Sequence, residues 1–238
     1  MPMLPPFALG SAAMVLGLLL APAVFAAEPV KRVGVYVEPY YASAASADGA
    51  PRLAVGDTYS GLLASTKKDD IVAARDKILI DPDVVTPMTM MVLAIRLYDF
   101  GLRDDAVFWF YAAKDRFVTL SKVVDIDAAG LRGAEDAVRS FATLVGPVIN
   151  GYAYCDPANQ TALRAKALKW VEENPYGVLV MEQLPARADD RQAALATAIA
   201  GLHADAEKER AYLEDAVNLA SFKAKRAENE MDARFCWK

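Results

Sequence analysis

The sequence is poor in the residues that most active-site chemistry needs. Among 238 residues there is one histidine, His203, and there are two cysteines, Cys155 and Cys236. So few cannot build the usual zinc sites, which take four Cys/His ligands or three plus an open position. A Ser-His-Asp or Cys-His triad would have only His203 to use as its base. That residue sits beside Leu202 in an alanine-rich stretch and reads as a surface or packing residue. There is no Gly-rich phosphate loop, no Cys-x-x-Cys and no metal-ligand spacing. No cofactor and no metal are expected. Positive charge is not in excess either: 26 Lys+Arg stand against 31 Asp+Glu, a net charge of −5. Nucleic acid is not an expected partner, because it needs a basic face to neutralise phosphates. Glycine and proline, 13 each, leave no basis for a collagen-like or low-complexity chain.

Charge is also missing before Glu28. Residues 14–20 form an apolar centre, Pro22 breaks it, and Val24-Phe25-Ala26 offers small residues for cleavage after Ala26. Residues 1–26 resemble a secretory signal peptide, although no Lys or Arg precedes the apolar run. The other reading is a membrane anchor, since residues 7–25 are about long enough to span. Cleavage is favoured by Pro22 and the small-residue exit. No later stretch approaches about 18 uncharged apolar residues, so no stable membrane insertion is expected after cleavage. Export, most simply to a bacterial periplasm, makes an even pair of cysteines a disulfide candidate. Two buried free thiols are the alternative. A Cys155–Cys236 bond would close a loop of about 80 residues, for which chain entropy gives roughly 4–5 kcal/mol and measured bonds about 2–4 kcal/mol.

From Lys68 onward the hydrophobic periodicity is helical. Asp69 or Asp70 caps a helix that carries Ile71, Ala74 and Ile78 on one face and ends before Asp81-Pro82. Thr86 caps the next, with Pro87 at its first position and Gly101 beyond its end. Asp104 opens a third, whose middle, AVFWFYAA, is apolar all round. Such a helix is buried on several sides, so it belongs at the centre of the core. Asp127 or Gly130 opens a fourth, which Gly146-Pro147 should kink or split. Asp156-Pro157 starts a fifth, ended by Asn174-Pro175. Residues 176–184 read as a short helix or a buried strand. Residues 189–234 contain no proline and read as one long helix, or two meeting near 201–205; an oligomer interface along it is one possibility. The region 27–67 is expected as an irregular N-terminal arm lying on the helical body, with a short strand near 33–37. The overall expectation is an all-α domain over 68–238, an antiparallel bundle or short repeat-like array with that arm and a long C-terminal helix.

One stretch has a motif. Leu93, Ala94 and Tyr98 precede Gly101, and Ala106, Phe110 and Ala113 follow it. This hairpin, residues 93–113, resembles a single tetratricopeptide or Sel1-like repeat unit. The pattern is a matter of packing: small residues let two antiparallel helices approach, Gly101 takes the left-handed turn, and Tyr98 and Phe110 fill the gap to the next layer. A shift of 34 residues lands on Lys67 or Glu135 and does not recover it, and Val118 stands where the family has proline.

The carboxylate pairs Asp69-Asp70, Asp104-Asp105 and Asp189-Asp190 each precede a helix, so they read as caps and dipole partners before acid/base pairs. The resemblance, the long terminal helix and the lack of a catalytic constellation point to an exported, non-enzymatic interaction or scaffold module. Its partner would be a protein or peptide, and an immunity or inhibitor protein is a sharper form of the same expectation. Tyr36, Tyr40 and Tyr41 in the arm are candidate partner contacts. The alternative is a small-molecule binder or enzyme using the aromatic cluster of residues 98–111.

Overall fold

Local chemistry sets several helix boundaries. In the computed structural model, which describes residues 27–33 and 57–237, Thr86 Oγ1 accepts the Thr89 N–H at 3.1 Å and Pro87 opens the helix behind it. Asp156 Oδ1 accepts the N–H groups of Ala158 and Asn159, both at 3.1 Å, ahead of Pro157. Gly101 has φ +79°. Its N–H donates to Tyr98 O at 2.9 Å and the Leu102 N–H reaches back to Leu97 O at 2.8 Å. That is the Schellman closure, and it needs a residue without a Cβ penalty at positive φ.

Nine α-helices stand among the described residues: α1 (Asp57–Ala64), α2 (Lys68–Ile80), α3 (Pro87–Asp99), α4 (Arg103–Val123), α5 (Arg132–Ala153), α6 (Pro157–Glu173), α7 (Arg191–Glu214), α8 (Ala216–Glu228) and α9 (Met231–Phe235). Those residues hold no β-strand, and the chain is all-α. Helix α4 is the hub: it packs on α3 most extensively and also on α5, α6 and α7. Helices α1 and α2 cover α3 on the other side, and α9 returns to α5.

Several expectations change. The arm is not irregular throughout 27–67: residues 57–64 form α1, with Tyr59 and Leu63 buried. Eight residues around Gly61 carry too little periodicity to stand out. Residues 27–33 do lie on the helical body. The Val30 N–H donates to Arg234 O at 2.8 Å, Tyr98 Oη donates to Val30 O at 3.0 Å, and the Val33 N–H donates to Asp99 Oδ1 at 2.9 Å. Helices α2 and α4 start without a side-chain cap. Asp70 takes the Ser65 hydroxyl instead, and Asp105 pairs with Arg75 at 2.6 Å. Helix α5 starts at Arg132, after Asp125 and Gly130 (φ +69°) close the preceding turn, and it runs unsplit through Pro147. Residues 176–184 are neither a full helix nor a strand. They hold one 3-10 turn, Gly177–Val180, and lead to an isolated bridge between Val124 and Ala186.

The long C-terminal helix is the largest correction. The chain turns at Asp215, which caps α8 through the Asn218 N–H at 2.8 Å, and again at Glu230, φ +52°. A straight helix over residues 189–234 would run for roughly 70 Å and could not return Cys236 to Cys155. The turns allow the return.

Candidate functional site

The hairpin residues Leu93, Ala94, Tyr98, Ala106, Phe110 and Ala113 are all at most 1% exposed. Most of the aromatic cluster proposed as a ligand groove is packed inward. Trp109 packs edge-on against Trp170 at 5.1 Å and Phe108 against Trp109 at 5.1 Å, while Tyr98, Phe110 and Tyr111 are buried. Phe108 and Trp109, with Trp170, border an open recess of about 390 Å³ that Arg75, Asp105, Lys166, Lys169 and Glu173 also line.

The opening lies at the other end of α4. A groove of about 890 Å³ runs between the start of α3, the last turns of α4, the first half of α5 and residues 176–184. Phe117 and Leu120 of α4, Ile126 and Val138 form its floor. Met88, Leu131, Val178, Met181 and Leu184 form its rims, and Met181 is 42% exposed. Its lining carries a single charged residue, Glu135, which is paired with Arg139 at 2.6 Å.

Two arginines hold the rims. Arg116 is fully buried and donates to three backbone carbonyls: Pro82 O at 2.7 Å, Val85 O at 2.9 Å and Asn174 O at 2.7 Å. It therefore ties the segment leading into α3 to the segment leading into Tyr176, with its guanidinium over the Trp170 and Tyr176 rings at 4.8 and 5.4 Å. Burial pulls its pKa down to about 10. Arg191 donates to Leu179 O at 3.0 Å and also to Leu184 O. The groove wall is thus irregular backbone held by side chains, which explains why neither helical nor strand periodicity described it.

A second polar cluster joins α4, α5, α6 and α7. Tyr111 Oη donates to Asn150 Oδ1 at 3.0 Å. Gln160 Nε2 donates to Tyr111 Oη and to Glu209 Oε1, each at 3.1 Å. Tyr154 donates to the same carboxylate, and Arg164 pairs with Asp115. Burial pushes the Tyr111 phenol up to about 12, despite the Gln160 hydrogen bond. Burial also raises Asp115, against the opposing pull of Arg164. Sequence reasoning missed Asp115, Arg116 and Gln160. The usable signal was the charged pair Asp115-Arg116 inside a helix buried on every side, where a charge must find partners.

The cysteines meet: Cys155 and Cys236 are bonded, with Cα atoms 5.5 Å apart. Arg226, buried, donates to Gly151 O at 3.1 Å and to Asp232 Oδ1 at 2.8 Å beside the two sulfurs. Phe235 lies so close to Gly151 that a Cβ there would be 2.7 Å from its ring. Arg103 sits between the rings of Tyr152 and Trp237, at 4.5 and 4.1 Å. His203 is on the surface and hydrogen-bonded to Glu172 at 3.0 Å. Tyr36, Tyr40, Tyr41 and the leader 1–26 fall outside the described residues. Among the described residues no group of three or more His, Cys, Asp or Glu is placed to hold a metal ion, and no helix is long and apolar enough to cross a membrane.

Fold and groove together define a class: an all-α protein built around a largely buried aromatic hairpin, with a large apolar groove beside it among the described residues. The chain is 33% identical over 210 residues to a protein of Haemophilus influenzae described as an uncharacterized protein, an alignment covering 88% of this chain and 81% of that one. It belongs to the family of that Haemophilus protein. No family model matches the chain, and no solved structure matches it.

Proposed function

We propose that the chain is an exported, non-enzymatic interaction module that holds an apolar segment of a protein or peptide partner in the groove beside α4. The observation that carries this reading is the groove itself: about 890 Å³ and predominantly apolar, with Thr86, Glu135, Tyr176 and Gln183 its polar side chains. Its lining offers no cysteine, histidine or serine, and its one carboxylate is occupied. Such a surface gains free energy by excluding water from apolar atoms and has little to contribute to bond chemistry. The paired cysteines suit the oxidising compartment that a cleaved leader would deliver the chain to. An immunity or inhibitor role is a specific form of this reading, consistent with a small acidic chain.

The same volume lies within the range of small-ligand sites, about 300–1,000 Å³, and this sets the test. The purified chain and a Met181→Glu variant are used in parallel as baits on a periplasmic extract. Met181 is 42% exposed, so the substitution charges the groove mouth without disturbing the core. A polypeptide retained by the parent and lost by the variant is the expected result. Recovery of no polypeptide, together with a heat-stable small molecule released from the parent alone, would replace the protein-partner reading with small-molecule binding.

A further inference from the structure

A smaller crevice opens between α6 and α7 and shares no lining residue with the apolar groove. Its volume is about 170 Å³, and it is open to solvent on one side. Gln160 and Arg164 face it from α6; His203, Glu209 and Arg210 face it from α7. Two of these are already engaged. Arg210 lies between Glu207 and Glu214, each at 2.5 Å, and His203 is bonded to Glu172.

The other charged pair is only half used. Arg164 spends Nη1 on Asp115, its side chain is 12% exposed, and its Nε and Nη2 donors have no protein partner among the described residues. Glu209 receives Tyr154 and Gln160 at Oε1, and its Oε2 receives no hydrogen bond from the described residues. Gln160, fully buried, has an Oε1 that takes only a 3.5 Å contact from Thr161. Free donors on a cation and free acceptors on an anion therefore line one small space. An anion alone would satisfy Arg164 and meet Glu209; a cation alone would do the reverse. A ligand carrying both charges answers both, through charge-assisted hydrogen bonds in a partly desolvated site.

We propose that this crevice binds a small free α-amino acid, its carboxylate on Arg164 and its ammonium on Glu209 with the Gln160 carbonyl beside it.

The test is isothermal titration calorimetry on the purified chain with glycine, L-alanine and L-serine, and with two analogues that each lack one charge. L-Alaninamide has no carboxylate and propionate no ammonium. The expected result is saturable binding of at least one amino acid with a Kd at or below about 1 mM, weakened at least about tenfold in both analogues. No saturable heat from any of the three amino acids, or propionate binding as well as alanine, would overturn the proposal. Glu209→Gln keeps an acceptor for Tyr154 and Gln160 but removes the charge, and Arg164→Lys keeps a cation for Asp115. Each should weaken binding at least about tenfold with an unchanged circular dichroism spectrum. Unchanged affinity in both variants would place the ligand elsewhere. Because the apolar groove plays no part in these readouts, they stand or fall independently of the partner capture.

Discussion

Both halves of α4 carry large apolar side chains, in an unbroken run in the first and spaced among charged residues in the second, and they have opposite fates. Over its first half, Phe108, Trp109, Phe110 and Tyr111 are closed in by α3, α5 and α6, and Phe110 lies 3.6 Å from where a Cβ on Gly146 would be. Over its second half, Phe117 and Leu120 form the floor of an open groove. Composition separates these halves only in part, since residues 114–123 are the more charged but Phe117 and Leu120 are as apolar as the residues of the closed half. What fully separates them is the cover: regular helices on one half, and on the other a stretch of irregular backbone held at a distance by Arg116 and Arg191. An apolar run in a sequence thus marks buried or bound surface without saying which.

The contrast can be broken most severely in the closed half. Phe110→Ala removes a ring from a filled core and should cost about 3–5 kcal/mol, read from the urea midpoint; a loss under about 1 kcal/mol would mean the first half is not closed. Next in size is the Cys155–Cys236 latch, which fastens the chain beyond α9 to the turn after α5. Cys236→Ser should cost about 2–4 kcal/mol, while partner capture through the groove, which shares no residue with the latch, persists. Intact mass with and without reduction and alkylation checks the bond first. Two freely alkylated thiols in unreduced protein would refute it.

A third test uses the buried Tyr111 phenol. Its proton is lost near 10.0 in the unfolded chain and near 12 when folded. Between these values the folded state binds more protons than the unfolded state, so stability falls as pH rises, by roughly 1.4 kcal/mol per pH unit from this group. Denaturant midpoints from about pH 8 to about pH 11 should show the decline starting near pH 10, and Tyr111→Phe should make it shallower by about that one-group share, leaving the slope from Tyr152 and Tyr154, whose phenols burial also raises. In the open half the expected effect is smallest. Met181→Ala should change stability by no more than about 0.5 kcal/mol; a larger loss in the absence of any partner would show that this rim is core.

Much of the fold was legible because its signals are local. Thr86-Pro87, Gly101 and Asp156-Pro157 act through hydrogen bonds within a few residues, and each works as the sequence implied. The central place of α4 was legible because a helix apolar all round has nowhere else to go. Where local signals competed, reading failed. Asp69 and Asp104 look like caps, but Lys67 and Leu102 hold the cap positions, and Asp104 receives Tyr152, 48 residues away, at 2.8 Å. The proline-free tail looked continuous because an Asp cap such as Asp215 costs an exposed helix little and leaves no trace in the periodicity.

The sequence by itself determined the helical class, the main helix starts and stops, the burial of the α3–α4 hairpin and the residue types available for chemistry, since backbone propensity and the 3.6-residue period are properties of neighbours along the chain. Only the tertiary structure decided which apolar face stays open, which carbonyls Arg116 satisfies, and that Arg164 and Glu209 share one crevice. Those are relations between residues tens of positions apart. They are settled by how helices turn and dock, and no window along the sequence contains them.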